Sequence, residues 1–359
     1  MKELLTRREC TAMRGIAILA IVLHNYCHFI GKIVQENEYQ YLSFNNDRLW
    51  QVISNPDSLL PVHLLSYFGH YGVPVFLFLS GFGLVKKYET SNGACPPVRF
   101  LRYSYLKLFR LLIVGFSIFV CVDMVTPGRF LFHWDNVLAQ LLMYINVLPT
   151  PDKIIWPGIY WFFGLMIELY IVYRLALYRR SSWWVVALIA ICWLLQAFCD
   201  PEGETLNRLR YNFIGGMLPF GLGIIVARVR RLRTNSSLLT DTASAPYGLM
   251  LWLPVFIVAV VLVAAMGFCF HSWFWIPAVI IIGTIALVKV MPKWMLSIFI
   301  WVGGISAAMF VAHPIARKLF ITVAWKQDIY DGLMLYIIAT VALSWAVKQL
   351  IDRIPKPKL

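Results

Sequence analysis

Residues 12–26 read AMRGIAILAIVLHNY and form the centre of an apolar segment, 11–31, that is long enough to cross a lipid bilayer. The polar side chains of Arg14 and His24 lie within it. An arginine near the centre of a spanning helix costs roughly 2.5–3.5 kcal/mol on insertion scales. Such groups persist where they face a cavity or take part in chemistry. The segment therefore predicts a membrane protein, and its polar residues are the first candidates for a functional site.

The composition extends this prediction to the whole chain. Of the 359 residues, 60% are hydrophobic and 14% are charged, and the mean hydropathy is +0.70, whereas a soluble domain has about 25% charged residues. No polar stretch is long enough for a separate soluble domain, and no internal repeat is visible. We expect one integral-membrane domain over residues 1–359. Its first helix should be uncleaved, because Arg14 interrupts the apolar run and no convincing cleavage site follows.

Apolar segments set the expected number of spanning helices, since a span needs about 20 residues. The segment 130–148 is less apolar and contains charged and amide side chains, so we expect a re-entrant or interfacial helix there. We predict an all-α transmembrane bundle of about ten spans, at residues 11–31, 64–85, 108–126, 156–178, 183–199, 213–228, 247–269, 273–290, 296–316 and 331–350.

The distribution of basic residues predicts the orientation of these spans. Lys and Arg are concentrated in alternate loops, on the side that also holds both ends of the chain. The positive-inside rule then places both termini in the cytoplasm, and counting 130–148 as an eleventh span would break the alternation. Because the basic residues lie in short loops between spans, the net charge of +14 does not predict a nucleic-acid partner.

The seven cysteines are scattered along the chain without a CxxC pair. Five lie within or at the ends of apolar segments, where cysteine behaves as a small hydrophobic residue. We therefore expect neither a disulfide framework nor a metal site.

The pair in the first helix has two interpretations. Arg14 and His24 lie about 15 Å apart along a helix axis, Arg14 near the cytoplasmic end and His24 past the midplane. In the structural interpretation, Arg14 extends to the inner interface and His24 bonds a neighbouring helix. In the catalytic interpretation, His24 is a general base, a role for which a buried neutral imidazole is suited. The residues alone leave both open.

Four stretches of the chain carry a family resemblance. They are RGIAILAIVLH at 14–24, GVPVFLFLSGF at 72–82, YWF at 160–162 followed by Tyr170, and VGGISAAMFVAHP at 302–314. In this order they resemble the motifs of the acyltransferase-3 family of membrane acyltransferases. Each motif is weak alone, but together they cover residues 11–316.

The resemblance implies an activity. Family members transfer an acyl group, most often acetyl, from cytoplasmic acyl-CoA to a hydroxyl on an extracytoplasmic acceptor such as a surface polysaccharide or a lipid-linked sugar. For this chain the resemblance implies a multi-pass enzyme of a cell membrane, the cytoplasmic membrane of a bacterium. His24 would be the base, with Arg14 steadying the donor. Whether a covalent acyl-histidine forms, how long the acyl chain is and whether the protein is a homo-oligomer are left open.

The first motif departs from the family pattern at one point. The usual step from the basic residue to the histidine is 11 positions, which returns to nearly the same helix face, whereas the step from Arg14 to His24 is 10 and leaves them about 80° apart. His28 lies about 40° from Arg14 and one turn beyond His24. We therefore keep His28 as a second candidate for the base.

Other polar residues are candidates for binding. By resemblance, a basic pair at the start of the third helix helps to bind acyl-CoA, and Lys107 with Arg110 fits that position best. Arg99 with Arg102 is the alternative, and positive-inside charge alone would also explain all four. Glu168 is a catalytic candidate because it is an isolated acid within a span, although an ion pair with Arg14 or Arg174 would explain it as well.

Two other classes of function remain open from the sequence. A transporter or exporter of a small anion or glycan could use Arg14 and His24 as a substrate and proton relay, but the lack of an inverted repeat argues against it. A structural subunit of a surface-polymer assembly is the third class.

Overall fold

The computed structural model describes residues 4–90, 95–233, 245–326 and 328–358. Within these ranges the regular structure is entirely helical, as the sequence predicts. The α-helices, in chain order, are α1 (Arg7–Cys27), α2 (Ser43–Ser54), α3 (Leu60–Phe68), α4 (Gly72–Leu84), α5 (Pro97–Val125), α6 (Trp134–Leu141), α7 (Pro151–Ile154), α8 (Trp161–Val172), α9 (Ser182–Ala197), α10 (Glu204–Tyr211), α11 (Phe213–Arg233), α12 (Ala245–Met266), α13 (Phe270–Trp273), α14 (Ile276–Val290), α15 (Lys293–Lys326) and α16 (Ile329–Arg353).

Seven helical segments of the described residues are long and apolar enough to cross a membrane. An eighth results if α10 and α11, which meet at a bend of 43°, count as one span. The shorter apolar helices α9 and α14 occupy two further predicted segments. A membrane protein with many spans is therefore confirmed, while the total of ten and the orientation of the termini stay predictions. The seven segments are Arg7–Cys27, Leu60–Glu89, Pro97–Val125, Gly158–Leu177, Leu249–Met266, Lys293–Lys326 and Ile329–Arg353.

The segment 130–148 forms short helices. It contains α6 and a 3-10 turn, Ile145–Val147, and the side chains of Leu131 and Trp134 are exposed. An eight-residue helix rises only about 12 Å, which is too short to span a bilayer. The position of this segment relative to the membrane surface stays a prediction.

Glycines allow the central helices to approach closely. A Cβ atom on Gly15 of α1 would overlap the backbone of Phe299 in α15, and one on Gly303 would overlap the backbone of Thr11. Small residues at such crossings let the backbones of membrane helices meet. Helix α1 is therefore packed along its length against α15, which fixes where the side chains of both helices can point.

The bundle has two ends that differ in content. At one end, Glu9 of α1 forms an ion pair of 2.7 Å with Lys289 at the close of α14, and α16 also finishes here because it runs back along α15. We call this the terminal end, since the start of α1 and the end of α16 lie there. The opposite end holds the last turn of α1, the start of α3 and the loop 28–42, and we call it the histidine end.

Candidate active site at the histidine end

The orientation of His24 is set by a single backbone group. Its Nδ1 atom lies 2.7 Å from the carbonyl oxygen of Ser66 in α3. A carbonyl oxygen can only accept, so Nδ1 carries the proton and Nε2 presents a lone pair. The close approach of α1 to the turn after α3 needs Gly69, because a Cβ there would lie 2.6 Å from the carbonyl oxygen of Ala20. His24 is therefore buried in the tautomer that a general base requires.

Glu36 joins the two histidines of α1. Its carboxylate accepts a hydrogen bond of 2.6 Å from His28 Nδ1 and lies 3.9 Å from His24 Nε2. Burial opposes ionisation of Glu36, but the imidazoles of His24 and His28 favour the carboxylate and lower the pKa of Glu36 to about 2. A negative charge thus faces the lone pair of His24 at neutral pH.

Helix α3 holds the loop that carries Glu36. The backbone N–H of Val34 donates to His63 Nδ1 at 3.0 Å, and the Ser66 hydroxyl donates to the Val34 carbonyl oxygen at 2.7 Å. Both backbone groups of Val34 are therefore fixed, two residues before Glu36. The backbone carbonyl of Ser66 also orients His24. Helix α3 therefore fixes both His24 and the loop that carries Glu36.

A third imidazole, that of His70, lies beside a cavity. Its ring centroid is 5.7 Å from that of His24, and neither ring nitrogen has hydrogen-bonding geometry with a described protein group. The ring lines a cavity of about 40 Å³ that is also bordered by Glu38, Trp161 and Arg210. We call this space the His70 cavity. It is lined by polar side chains and aromatic rings together.

Glu38 and Arg210 form the polar wall of the His70 cavity. Arg210 Nε donates to the backbone carbonyl oxygen of Glu38 at 3.0 Å, and its guanidinium group lies 4.6 Å from the centre of the Trp273 ring. Burial raises the pKa of Glu38 to about 8, and the charge of Glu36 adds to this effect while Arg210 opposes it. Glu38 is therefore mainly a neutral acid at pH 7 and can donate a hydrogen bond.

Helix α15 places a positive charge against Asn25, the residue after His24. Arg317 is 7% exposed, and its Nη1 donates to the side-chain and backbone oxygens of Asn25 at 3.1 and 3.3 Å. The guanidinium carbon lies 3.7 Å from the centre of the Phe29 ring. No described carboxylate forms an ion pair with Arg317. A buried cation of this kind is available to a developing negative charge.

The histidine of the late motif lies one turn before Arg317. His313 is fully buried, and its Nδ1 donates to the carbonyl oxygen of Met309 at 2.9 Å. Its Nε2 has no hydrogen-bond partner in the described part of the chain.

The structure brings only some of the predicted site residues together. The structure brings His24 and His28 to one carboxylate, as their spacing of four residues suggests. Arg14 is exposed in the half of α1 nearer the terminal end, well away from His24 along the axis.

Glu168 makes hydrogen bonds at a helix start. It accepts from Asn146 Nδ2 at 2.6 Å and from the backbone N–H of Phe213 at 2.7 Å. A carboxylate there stabilises the first turn of α11, whose N–H groups lack partners within the helix. Its neighbours are not the arginines considered from the sequence, since Arg174 donates to the carbonyl oxygen of Cys95.

The four basic residues of the third helix also separate. Arg110 donates to the carbonyl oxygens of Ile351 and Ile354 at 2.6 and 2.8 Å, at the end of α16. Lys107 is exposed, and its positive charge is repelled by that of Arg14. Arg99 and Arg102 are exposed on the first turns of α5. Lys107, Arg99 and Arg102 are therefore accessible to a ligand, whereas Arg110 is engaged by a helix end.

Sequence reasoning did not select Glu36, Glu38, His70, Arg210 or Arg317 as site residues. Glu36 and Glu38 lie in a polar loop, where a charge is normally solvated. The arginines were counted only as loop charges. The sequence does place Glu36 and Glu38 within ten residues of His28. Whether these side chains converge on the histidine depends on the path of the loop.

The fold and this site define a class: a polytopic membrane protein with a buried histidine–carboxylate centre at one end of the bundle. The family model described as an acyltransferase domain matches residues 9–348, which is nearly the whole chain. The chain therefore belongs to the acyltransferase-3 family, as its four motifs predict. Neither a curated protein nor a solved structure gave a match.

Proposed function

We propose that the protein is a transmembrane O-acyltransferase that uses His24 as its base. It moves an acyl group, acetyl by family resemblance, from cytoplasmic acyl-CoA to a hydroxyl of an extracytoplasmic glycan or glycolipid. In this proposal it resides in a cell membrane, the cytoplasmic membrane of a bacterium, with both termini inside. The terminal end then receives the donor, and the histidine end receives the acceptor.

The observation that carries the proposal is the hydrogen bond from His24 Nδ1 to the Ser66 carbonyl oxygen. It leaves Nε2 free to take the proton of an acceptor hydroxyl. The alkoxide oxygen then bonds to the thioester carbon, and the carbon–sulfur bond breaks. The CoA thiolate takes up the hydroxyl proton from the imidazolium. Glu36, 3.9 Å from Nε2, stabilises the imidazolium, and His28 holds Glu36 in place.

Arg317 supplies the complementary charge. Negative charge grows on the thioester carbonyl oxygen when the hydroxyl oxygen attacks, and a buried donor that is already in place stabilises it without reorganisation. Arg317 is anchored by Asn25, the residue after His24. Its charge also acts on the imidazole of His24, which supports this role.

The exposed basic residues of the terminal end support the donor assignment. Guanidinium and ammonium groups bind phosphate oxygens, and CoA is rich in phosphate. Lys107 and Arg14 repel one another as two positive charges there, and Arg99 and Arg102 are exposed on the first turns of α5. The acyl end of the donor has to extend about 15 Å along α1 to reach His24.

The residues that line the His70 cavity, rather than its volume of about 40 Å³, support a sugar acceptor. Aromatic rings such as Trp161 offer flat apolar faces, and Glu38, Arg210 and His70 offer hydrogen-bonding groups. A sugar ring presents this mixture of apolar and hydroxyl surfaces. The cavity also lies beside the imidazole next to His24.

An acylation assay in membranes tests the proposal. Membranes that contain the protein, labelled acetyl-CoA and a glycan fraction should yield an acyl ester that disappears with His24→Ala. Mass spectrometry of surface glycans with and without the protein should show the matching loss of an acyl mass. Solute flux in proteoliposomes without any need for acyl-CoA would contradict the proposal and favour a transporter.

A further inference from the structure

The side chains of His24, His28 and Glu36 have a second property besides the one used above. Each offers one ligand atom, and these three atoms lie within 4.8 Å of one another. Two imidazole nitrogens and a carboxylate oxygen are a ligand set of zinc sites, with bonds of about 2.0–2.2 Å. A single ion can reach all three after side-chain shifts of a few tenths of an ångström to about one ångström.

The hydrogen bond made by the other ring nitrogen of His24 is also typical of a metal-binding histidine. Metal-binding histidines almost always donate their other N–H to a carbonyl or carboxylate, which fixes the tautomer. His24 does so through Nδ1 and Ser66. Its Nε2 lone pair therefore faces a carboxylate oxygen at 3.9 Å. Two electron-rich atoms facing each other at that distance are stabilised by a cation placed between them.

The three residues are also reachable from the histidine end. The side chain of His28 is 30% exposed, and that of Glu36 is 9% exposed. A hydrated ion can meet His28 first and then exchange its waters for the deeper ligands. Because two of the three ligands are imidazoles, the set favours first-row transition ions over Mg²⁺ and Ca²⁺, which prefer oxygen.

We propose that His24, His28 and Glu36 form an inhibitory site for a divalent transition-metal ion, with Zn²⁺ as the preferred ion. Bound there, the ion occupies the lone pair of His24 Nε2 and takes the place of the proton between His28 and Glu36. The inhibition, though not the binding, rests on the proposed role of His24 as base. The sequence predicted no metal site, but that prediction rested on cysteine spacing.

A Co²⁺ titration of the purified full-length protein tests binding directly, since cobalt in a site with nitrogen and oxygen ligands absorbs visible light. We expect one Co²⁺ per chain and its displacement by Zn²⁺. His28→Ala and Glu36→Gln should each weaken binding by about 100-fold or more, because loss of even an outer-shell partner costs 10- to 100-fold. His271→Ala is the matched control, since His271 is an exposed histidine outside the cluster, and its affinity should equal that of the parent.

The outcomes of this titration are decisive in either direction. Unchanged Co²⁺ affinity in both His28→Ala and Glu36→Gln would overturn the site. A loss of binding in His271→Ala equal to theirs would do the same. Protection of the parent against thermal unfolding by Zn²⁺, absent in Glu36→Gln at equal folded content, would support the site.

The acylation assay tests the inhibition separately. Zn²⁺ should suppress acyl transfer by the parent and by His271→Ala, and a chelator should restore it. If a chelator instead abolished the activity, the ion would be required and the inhibitory assignment would fail. A parent protein that binds Co²⁺ at the cluster but transfers no acyl group would disprove the proposed function and leave the metal site standing.

Discussion

The two ends of the bundle use charge in different ways. At the terminal end, two arginines that are buried or half-buried bind a carboxylate or a helix end: Arg228 donates to Glu89 at 2.7 and 2.9 Å, and Arg110 binds the end of α16. At the histidine end, Arg317 has no described carboxylate partner, and His70 and His313 each keep unbonded ring nitrogens. Paired charges fix helices, whereas buried groups without partners are available to a substrate. The position of a charged residue in a span does not distinguish these cases, but its partners do.

The sharpest test of this comparison is His24→Ala. Removing a general base lowers the rate by about 10²–10⁴-fold, and loss of one neutral hydrogen bond to Ser66 costs only about 1 kcal/mol of stability. We expect acyl transfer to fall by that factor while the thermal unfolding temperature changes little. The measurement is acetyl-CoA-dependent ester formation beside a thermal melt in detergent, with His271→Ala as control. Full activity in both His24→Ala and His28→Ala would contradict the assignment of the base.

Arg228→Ala should show the opposite behaviour. The side chain is buried and makes a two-bond contact with Glu89, so its removal leaves a buried carboxylate without that partner and costs about 3–5 kcal/mol. We expect a large fall in folded protein, with near-normal activity per folded molecule. The double variant Arg228→Met with Glu89→Leu removes both charges and should lose less stability than the single change. A double variant that is less stable than Arg228→Ala would show that the pair has another role.

The fold could be predicted from the sequence because spanning helices depend on local composition. An apolar segment in a bilayer has to form a helix, because every backbone group has to be hydrogen-bonded within the segment. For residues 130–148 the same reasoning predicted one re-entrant or interfacial helix, and the structure has short helices there. His24 became a candidate because a polar group in such a segment is conspicuous.

The partners of these residues could not be predicted in the same way. Glu36 reaches His24 only because His63 and Ser66 fix the loop at Val34, and that path depends on tertiary contacts. Glu168 stands out in the sequence as much as His24 does, yet it accepts from the first N–H of α11. Sequence spacing gives the positions of polar groups along a helix, but their partners come from other helices.

Arg317→Ala tests whether a buried cation at the histidine end acts in the reaction. Loss of a donor that stabilises an oxyanion typically lowers the rate constant by about 10²–10³-fold. We expect kcat to fall by this amount with little change in the KM for acetyl-CoA. Arg317→Lys keeps the charge but loses the geometry of the contacts with Asn25, and it should recover part of the rate. A change confined to KM or to the unfolding temperature would assign Arg317 a structural role.

The smallest effect is expected at Lys107, and it separates two residues that the sequence treated as a pair. Lys107 is exposed, and an exposed charge pair is worth about 0.2–1 kcal/mol. Lys107→Ala should therefore raise the KM for acetyl-CoA by about fivefold at most. It should leave kcat and stability unchanged. Arg110→Ala should leave that KM unchanged and lower stability, since Arg110 binds the end of α16. Steady-state kinetics at low and high salt measure the first effect, which screening should reduce. If Arg110→Ala raised the KM and Lys107→Ala did not, the donor would bind on the other face of α5, and paired charges at the terminal end would no longer be purely structural.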